Sequence, residues 1–263
     1  MNDEREWDAR YSADDMHVRG VLAMLSDLRA RSATIRAVLA LPLGAARVLE
    51  IGCGTGQHSV ALAQERPYWR FEALDSSPGA VGAARALVAA AHVSVQVSVG
   101  DVTALPYPDA NFDIVFGDHV IGHISDRQMA LSEIVRVLKP GGYALLNSGN
   151  KLRIDGWPLY HALTNKKYLA RTFFPWTLAR ELRERGCRRI ASFGSVLILT
   201  RGLSLLVPAR RRQERESGTK TGSVAITTVR PGLMRRAYRF LDAHAPAWLK
   251  TDYGVVAQKR PSQ

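Results

Sequence analysis

The sequence has few cysteines and no long apolar run. Its two cysteines are Cys53, inside a glycine-rich turn, and Cys187, between a predicted helix and a predicted strand. This placement excludes a disulfide framework and favours a reducing compartment. The most apolar stretch, SVLILTRGLSLLV, is interrupted by Arg201 and Gly202, so it does not make a membrane-spanning helix. The first residues, MNDEREWDARYSADD, are acidic and polar, unlike a secretory signal, and we expect a soluble cytoplasmic protein.

Charge is distributed unevenly along the chain. Residues 1–150 hold 13 basic and 17 acidic residues, and residues 151–263 hold 23 basic and 7 acidic ones, which gives net charges of −4 and +16. The basic half is suited to an anionic partner such as a membrane surface, a nucleic acid or an acidic substrate. The alternative is an arginine-rich composition bias on solvated faces, and the sequence leaves both open.

Strand and helix patterns alternate over the first half. The strands are predicted in ARVLEIG, WRFEALD, VSVQVSVGD, FDIVFGD and YALLNSG, and helices in GQHSVALAQER, SPGAVGAARALVAAA and RQMALSEIVRVLK. The last of these helices has Met129 and Ile134 on or near one face and is predicted to stop at Pro140 and Gly141. Regular alternation of this kind predicts an α/β fold with a parallel, doubly wound sheet, in a chain of 263 residues.

The pattern is less regular in the second half. A helix in PWTLARELRERG, a strand in RRIASFGSVLIL and a final strand in YGVVAQKR are separated by a polar, basic stretch. We predict a helical cover at 1–45, a ligand-binding core at 46–150, and an acceptor-side half at 151–263. This last part completes the sheet and carries a basic helical insertion at about 199–247.

The stretch VLEIGCGTGQHS, residues 48–59, predicts a ligand site. A buried-strand pattern ends in Gly52, Gly54 and Gly56, and a helical pattern follows directly. Glycines at such a turn let the backbone bend tightly and approach a ligand at a helix N-terminus. A single glycine-rich turn is a weak signal, because nicotinamide enzymes and methyl-transfer enzymes both use one.

Further residues distinguish these two classes. The spacing is G-x-G-x-G rather than the dinucleotide spacing G-x-G-x-x-G, Asp75 ends the second strand, and Asp101 ends the third. Together with FDIVFGDHVIGHI and LKPGGYALL, this ordered set resembles the class I S-adenosylmethionine-dependent methyltransferases. The similarity is greatest to the small-molecule, type 11-like group related to ubiquinone and sterol methylators, and covers roughly residues 5–150. A nicotinamide enzyme remains the rival interpretation.

The resemblance implies a Rossmann-like sheet of seven strands, mostly parallel with an antiparallel last strand, and S-adenosylmethionine as cofactor. It further implies that the glycine loop carries the amino-acid end of the cofactor, that Asp75 holds the ribose, and that Asp101 and Val102 face the adenine. The segment WDARY is similar to an N-terminal cover, from which Tyr11 reaches the cofactor carboxylate. The cofactor-binding residues expected on this basis are Trp7, Tyr11, Glu50, Gly52, Cys53, Gly54, Gly56, His58, Asp75, Ser76, Asp101, Val102, Gly117 and Asp118.

Methyl transfer to oxygen or to an acidic carbon also requires removal of a proton, for which histidine is suited near neutral pH. Asp118, His119 and His123 follow the fourth strand, at the edge where ligands collect in such folds. His119 is the first candidate for the base and His123 the second, and each has the alternative of a structural role. Relatives often have a small polar pair where this chain has Gly117-Asp118, and paired histidines where this chain has Gly122-His123. Because of these differences, the resemblance does not identify the acceptor. No metal site is expected.

Aromatic residues gather after the fifth strand, where this family builds the cover of its acceptor pocket. They favour a hydrophobic or ring-containing small-molecule acceptor, methylated on oxygen, although part of the set is expected to be core packing. The alternatives are an RNA or protein methyltransferase that uses the basic half, and a non-catalytic cofactor-binding partner protein. The basic segment 208–220, flanked by apolar stretches, also suits peripheral contact with an anionic membrane, whereas nucleic acid is not expected. The aromatic residues are Trp157, Tyr160, Tyr168, Phe173, Phe174 and Trp176.

Overall fold

The computed structural model describes residues 32–149, 173–174, 176–194 and 252–261, together with Gly20, Leu22, Leu25 and Leu28. These last four residues are helical, and the other described residues form five helices and seven strands. In chain order they are α1 Ala33–Leu39, β1 Arg47–Ile51, α2 Gln57–Glu65, β2 Arg70–Asp75, α3 Pro78–Ala90, β3 Val95–Val99, β4 Phe112–Gly117, α4 Arg127–Val137, β5 Leu138–Gly149, α5 Thr177–Glu184, β6 Cys187–Phe193 and β7 Asp252–Lys259.

The strands form one sheet in the order β3-β2-β1-β4-β5-β7-β6. The strands β1 to β5 pair in parallel, and β7 is antiparallel to both β5 and β6. This arrangement confirms the predicted seven-stranded sheet with an antiparallel last strand. Because β1 and β4 are neighbours, the direction of winding reverses between them, which opens a crevice at their carboxyl ends. Because β7 is antiparallel, its first residue lies at that same edge, and Asp252 is paired with Gly149.

The central strands are buried on both faces, as expected for parallel strands covered by helices. In β1, Leu49 and Ile51 pack into one apolar cluster and Val48 into the other. In β4, Val115 joins the first cluster and Phe116 the second. Alternate side chains of one strand therefore supply the two cores, which explains why these strands have almost continuous apolar sequences.

Local capping fixes the helix starts that the sequence indicates. The Ser77 side chain accepts a hydrogen bond from the amide of Ala80, and Pro78 occupies the first turn of α3, as the Ser–Pro pair predicts. The Asp126 side chain caps α4 in the same way through the amide of Met129.

Two details of α4 differ from the prediction. The helix ends at Val137, and β5 begins at once with Leu138. Phe112 pairs with Leu138 and Ile114 with Tyr143, so the Lys-Pro-Gly-Gly turn bulges out of the ladder between these pairs. Placing Met129 on the buried face was wrong, because half of this side chain is exposed while Ile134 is fully buried.

The predicted division at residues 45 and 150 stays a prediction. Most of the predicted cover at 1–45 and the whole basic insertion at 199–247 lie outside the described residues. No helix in the described part of the chain is both long and apolar enough to cross a membrane.

Candidate functional site

The glycine turn between β1 and α2 has a backbone that other residues adopt only at a cost. Gly52, Gly54 and Gly56 have φ angles of +60°, +53° and +74°. A Cβ atom on Gly52 would lie 2.2 Å from Cγ2 of Val120, in the loop after β4. Glycine is therefore required at position 52 both for its conformation and because the loops after β1 and β4 touch there.

Asp75, at the carboxyl end of β2, organises this turn. The amide N–H of Gly54 donates to its Oδ2 atom at 2.8 Å, and that of Ser77 donates to Oδ1 at 3.0 Å. The carboxylate is half-buried beside the turn, and neighbouring Ser76 is exposed. Each carboxylate oxygen accepts one backbone hydrogen bond and keeps capacity for another, so Asp75 can accept hydrogen bonds from two hydroxyl groups of a ligand.

The end of β3 adjoins the end of β2. Asp75 pairs with Val99 in the sheet, and the amide of Gly100 donates to the Asp75 carbonyl at 2.9 Å. Asp101 follows with an exposed side chain that accepts from the amide of Thr103 at 2.8 Å, and Val102 is buried. The two acids that the sequence singles out thus lie at one edge of the sheet.

Beneath the turn lies a buried polar cluster formed by Glu50, His58 and Asp118. His58 Nδ1 is 3.7 Å from Glu50 Oε1, and His58 Nε2 is 3.7 Å from Asp118 Oδ2. Glu50 also accepts from the amide of Ser59 at 3.0 Å and from its hydroxyl. The cluster therefore joins β1, the start of α2 and the end of β4.

Burial decides the direction of the pKa shifts of Glu50 and His58 in this cluster, but not that of Asp118. It raises the pKa of Glu50 from 4.5 to about 8, against the hydrogen bonds from Ser59. It also lowers the pKa of His58, against the attraction of Asp118. For Asp118, burial acts upward, but His58, His119 and two hydrogen bonds outweigh it, so its pKa lies below the usual value. Near neutral pH the cluster then holds a neutral Glu50, a neutral His58 and an ionised Asp118.

Two residues that the sequence did not single out hold Asp118. The hydroxyl of Thr34, in α1, and the side-chain amide of Asn147, in β5, both donate to Asp118 Oδ1. Asn147 is buried, and its polarity inside the apolar stretch YALLNSG is the one available sequence signal. Nothing in the sequence around Thr34 distinguishes it from other helical threonines.

His119 lies in the loop after β4 with a left-handed backbone, at a φ of +56°. Its amide donates to Oδ1 of Asn147 at 2.5 Å. Its Nε2 atom is 3.6 Å from Oδ2 of Asp252, at the start of β7. Sequence analysis missed Asp252, because only the antiparallel pairing of β7 with β5 brings it to this edge.

The other predicted site residues are distributed around this edge. The amide of His123 donates to the carbonyl of Val120 at 2.9 Å, and its side chain is half-buried. Cys53 is buried in the glycine turn, where burial raises the pKa of its thiol. Trp7 and Tyr11 lie outside the described residues. Of the described site residues, Glu50 and His58 contact one another beneath the turn, and their contact with a ligand stays a prediction.

Three of the predicted aromatic residues are described. The amide of Phe173 donates to the carbonyl of Gly149 at 3.1 Å, which places it at the carboxyl end of β5. Arg127 lies over its ring at 4.4 Å. Phe174 and Trp176 stack with ring centroids 4.9 Å apart, and Trp176 is 57% exposed. Trp157, Tyr160 and Tyr168 lie outside the described residues.

Sequence comparison finds methyltransferases among the proteins that are similar to this chain. Residues 49–146 match the family model described as a methyltransferase domain. The malonyl-[acyl-carrier protein] O-methyltransferase of Serratia marcescens is 29% identical over 224 residues, which is 80% of each chain. The comparisons therefore identify residues 49–146 as a methyltransferase domain and support the class I S-adenosylmethionine-dependent methyltransferases as its family. The demethylmenaquinone methyltransferase of Deinococcus radiodurans is 35% identical over 100 residues, and the match spans 42% of that relative's length.

Solved structures share the fold of this methyltransferase. A methyltransferase in complex with the Haloferax volcanii Trm112 activator gives a TM-score of 0.61 at 20% identity and covers 98% of both chains. The phosphoethanolamine N-methyltransferase 2 of Haemonchus contortus, solved with S-adenosyl-L-methionine, gives a TM-score of 0.55 at 21% identity, over 87% of this chain and 51% of that one.

The described residues of the methyltransferase fit this cofactor chemically. The carboxylate of Asp75 matches a ribose diol, and the glycine turn ends at the N-terminus of α2, which has no side-chain cap. Among the described residues, no group of three or more histidine, cysteine, aspartate or glutamate side chains is arranged to hold a metal ion.

Proposed function

We propose that this protein transfers a methyl group from S-adenosylmethionine to oxygen of a small apolar or lipid-like molecule. The observation that carries the proposal is the meeting of the loops after β1 and β4 at the switch point of the sheet. The cofactor-type turn and Asp75 lie on one side of the contact between Gly52 and Val120, and His119 lies on the other. A donor and an acceptor held there would be adjacent, which is the main requirement of a displacement at an already activated methyl group.

On the donor side, we propose that Asp75 accepts both ribose hydroxyls and that the glycine turn holds the amino-acid end of the cofactor. Asp101 and Val102 would border the adenine, because they follow β3 directly beside β2. Trp7 and Tyr11 are proposed to cover the cofactor from outside the described residues. Glu50, His58, Cys53, Ser76, Gly117 and Asp118 complete the proposed set, with Glu50 and His58 supporting the turn from beneath.

On the acceptor side, the stack of half-buried Phe174 on exposed Trp176 favours an apolar or ring-containing molecule. These residues follow Phe173, which is bound to the end of β5. The name of one relative, malonyl-[acyl-carrier protein] O-methyltransferase, supports oxygen as the methylated atom, and that of another, demethylmenaquinone methyltransferase, supports a lipid-like acceptor. The net charge of +16 in the second half leaves a peripheral membrane contact as part of the proposal.

The experiment is transfer of labelled methyl from S-adenosylmethionine into a host extract, which is then fractionated into lipid, small-molecule, RNA and protein pools. We expect label in an organic-soluble pool, stable to mild base if it is an ether. Label in RNA or protein would instead make the basic half a recognition surface and contradict the acceptor class. Binding of the cofactor without any transfer would favour a non-catalytic partner protein.

Two variants make the assay specific. Asp75→Asn should lower transfer in every pool, because it weakens loading of the donor. Asp109→Asn is the matched control, because Asp109 pairs with Arg136 and lies before β4, at the opposite edge of the sheet. Sedimentation with anionic liposomes tests the membrane contact separately, and absence of binding would remove it from the proposal.

A further inference from the structure

Asp118 lies where the proposed donor side and acceptor side of the site meet. It follows Gly117, the last residue of β4, and stands two residues before Val120, which contacts the glycine turn at Gly52. A methyl group that passes between the two sides has to lie near this contact, because donor and acceptor must be held next to one another. Asp118 is therefore at the point of the fold where the sulfur atom of the donor is expected.

The two oxygens of the Asp118 carboxylate have different surroundings. Oδ1 accepts hydrogen bonds from the hydroxyl of Thr34 and, at 2.8 Å, from Nδ2 of Asn147. Oδ2 faces Nε2 of His58 at 3.7 Å, which is too long for a hydrogen bond, and no donor within the described residues is bonded to it. Because the side chain is also 23% exposed, the carboxylate keeps the capacity to interact with a ligand.

Asp118 carries the negative charge of the polar cluster beneath the turn. Burial favours the neutral forms of Glu50 and His58, whereas the pKa of Asp118 lies below its usual value. The other titratable group that acts on Asp118 is His119, in the loop after β4. In the described part of the chain, no lysine or arginine is paired with this carboxylate. The cluster therefore presents a negative charge to a bound ligand, which suits a cation.

Thr34 and Asn147 hold this charge in place from two different elements. Thr34 is fully buried in the first turn of α1, and Asn147 is buried in β5. Nδ2 of Asn147 also donates to the Thr34 hydroxyl at 3.1 Å, so the three side chains are all hydrogen-bonded to one another. A carboxylate removed from water stays ionised only where hydrogen bonds or opposite charges replace its hydration. These two residues supply such hydrogen bonds and fix the direction of the carboxylate.

We propose that Asp118, positioned by Thr34 and Asn147, makes the site favour the positively charged methyl donor over its product, in which sulfur is neutral. This inference rests on the proposed function and adds to it the charge selectivity of the cofactor site. S-adenosylmethionine and S-adenosylhomocysteine share the adenine, the ribose and the amino-acid tail, and they differ in the methyl group and the charge on sulfur. A carboxylate fixed near that atom attracts the donor alone, and the attraction is stronger at a partly buried site than in water. The product loses this attraction, which favours its exchange for new donor.

The first test is calorimetric binding of S-adenosylmethionine and S-adenosylhomocysteine to the full-length protein, which needs no acceptor. In Asp118→Asn, donor binding should weaken by about 10-fold relative to product binding, because one attractive charge is lost near the sulfur atom. Asp109→Asn removes the same charge at the opposite edge of the sheet and should leave the ratio of the two dissociation constants unchanged. An unchanged ratio in Asp118→Asn, including an equal loss for both ligands, would overturn the proposal.

The second test addresses Thr34 as a positioning residue. Thr34→Val removes its hydrogen bond to Asp118 with little change of shape, and Thr34→Ser keeps the hydroxyl. We expect Thr34→Val to lower the preference for the donor by about 2- to 5-fold and Thr34→Ser to retain the wild-type ratio. The control is Ser132→Ala, which removes a hydroxyl that donates within α4. Equal weakening of both ligands in Thr34→Val would indicate a packing role alone and overturn the positioning role.

The same titrations separate this inference from the proposed function. A wild-type protein that binds neither ligand would contradict the proposed function, and the charge selectivity would fail with it. A wild-type protein that binds both ligands, with a ratio that Asp118→Asn does not change, would overturn the role of Asp118 alone and leave methyl transfer as the proposed function.

Discussion

Nδ1 of His58 lies 3.7 Å from Oε1 of Glu50, and both side chains are buried. Because these two groups are buried under the glycine turn, their pKa values differ between the folded and the unfolded chain. Ser59 donates a hydrogen bond to Glu50, and Asp118 lies beside His58. Protonation of these groups is therefore linked to the free energy of unfolding.

We predict that the free energy of unfolding falls as the pH rises from 6.5 to 8. The pKa of Glu50 is raised to about 8, so the native protein keeps a proton that the unfolded chain loses above about 4.5. The lowered pKa of Asp118 acts in the opposite sense but has its full effect well below this window, and that of His58 adds a smaller opposite change only at its lower end, where the unfolded imidazole still titrates near 6.5. The fall is at most about 2 kcal/mol, at 1.36 kcal/mol per pH unit.

Urea unfolding of wild type and Glu50→Gln at four pH values measures this change. The Gln variant carries no titrating group at position 50, so its stability relative to wild type should improve steadily across the window. Glu184→Gln is the control, since this carboxylate is exposed on α5 and its loss should leave the slope unchanged. A parallel pH dependence of wild type and Glu50→Gln would contradict the prediction.

Local sequence patterns were sufficient to predict the elements and the strand ends at which the proposed donor side lies. The glycine turn, Asp75 and Asp101 follow strands whose apolar residues mark them clearly, and parallel pairing brings those strand ends together. Asn147 and Asp252 could not be predicted in this way. Their roles depend on which strands are neighbours and on the direction of β7, which are properties of the whole sheet. Met129 was misplaced because the helical pattern alone does not determine how wide the buried face of α4 is.

Replacing Gly52 by alanine should destabilise the protein by about 2–4 kcal/mol. One part is the left-handed backbone, and the other is the displacement of Val120, whose Cγ2 would lie 2.2 Å from the new Cβ. Gly141→Ala isolates the first part, because Gly141 has a φ of +80° but open space around its Cβ position. Thermal and urea unfolding of both variants give the comparison. Equal losses would mean that the loops after β1 and β4 yield freely at this contact.

Asp75→Asn should weaken binding of adenosine-containing ligands by about 10- to 100-fold, the equivalent of about 1.5–3 kcal/mol for charge-assisted hydrogen bonds. S-adenosylhomocysteine and methylthioadenosine share the ribose but differ in the amino-acid tail. Calorimetry should therefore give a similar loss for both ligands, with Asp109→Asn as the control. A loss confined to S-adenosylhomocysteine would show that Asp75 acts through the glycine turn, to which it is bound by the Gly54 amide, rather than through the ribose.

Arg136, near the end of α4, is hydrogen-bonded to the segment between β3 and β4. Its guanidinium donates to the Glu133 and Asp109 carboxylates and to the carbonyls of Leu105 and Tyr107. We predict that Arg136→Ala costs about 2–3 kcal/mol of unfolding free energy, because several charge-assisted bonds are lost at once. Arg136→Lys should recover only part of this loss, since lysine keeps the charge but lacks the planar array of donors.

The matched variant for Arg136 is Arg180→Ala, on α5. Within the described residues, the side chain of Arg180 has one contact, a pair with Glu184 at 3.8 Å in which both side chains are exposed. An exposed pair of this kind contributes less than about 1 kcal/mol. The urea midpoints of Arg136→Ala, Arg136→Lys and Arg180→Ala therefore compare the loss of several hydrogen bonds with the loss of one surface ion pair. If Arg180→Ala were as costly as Arg136→Ala, the segment between β3 and β4 would not depend on Arg136.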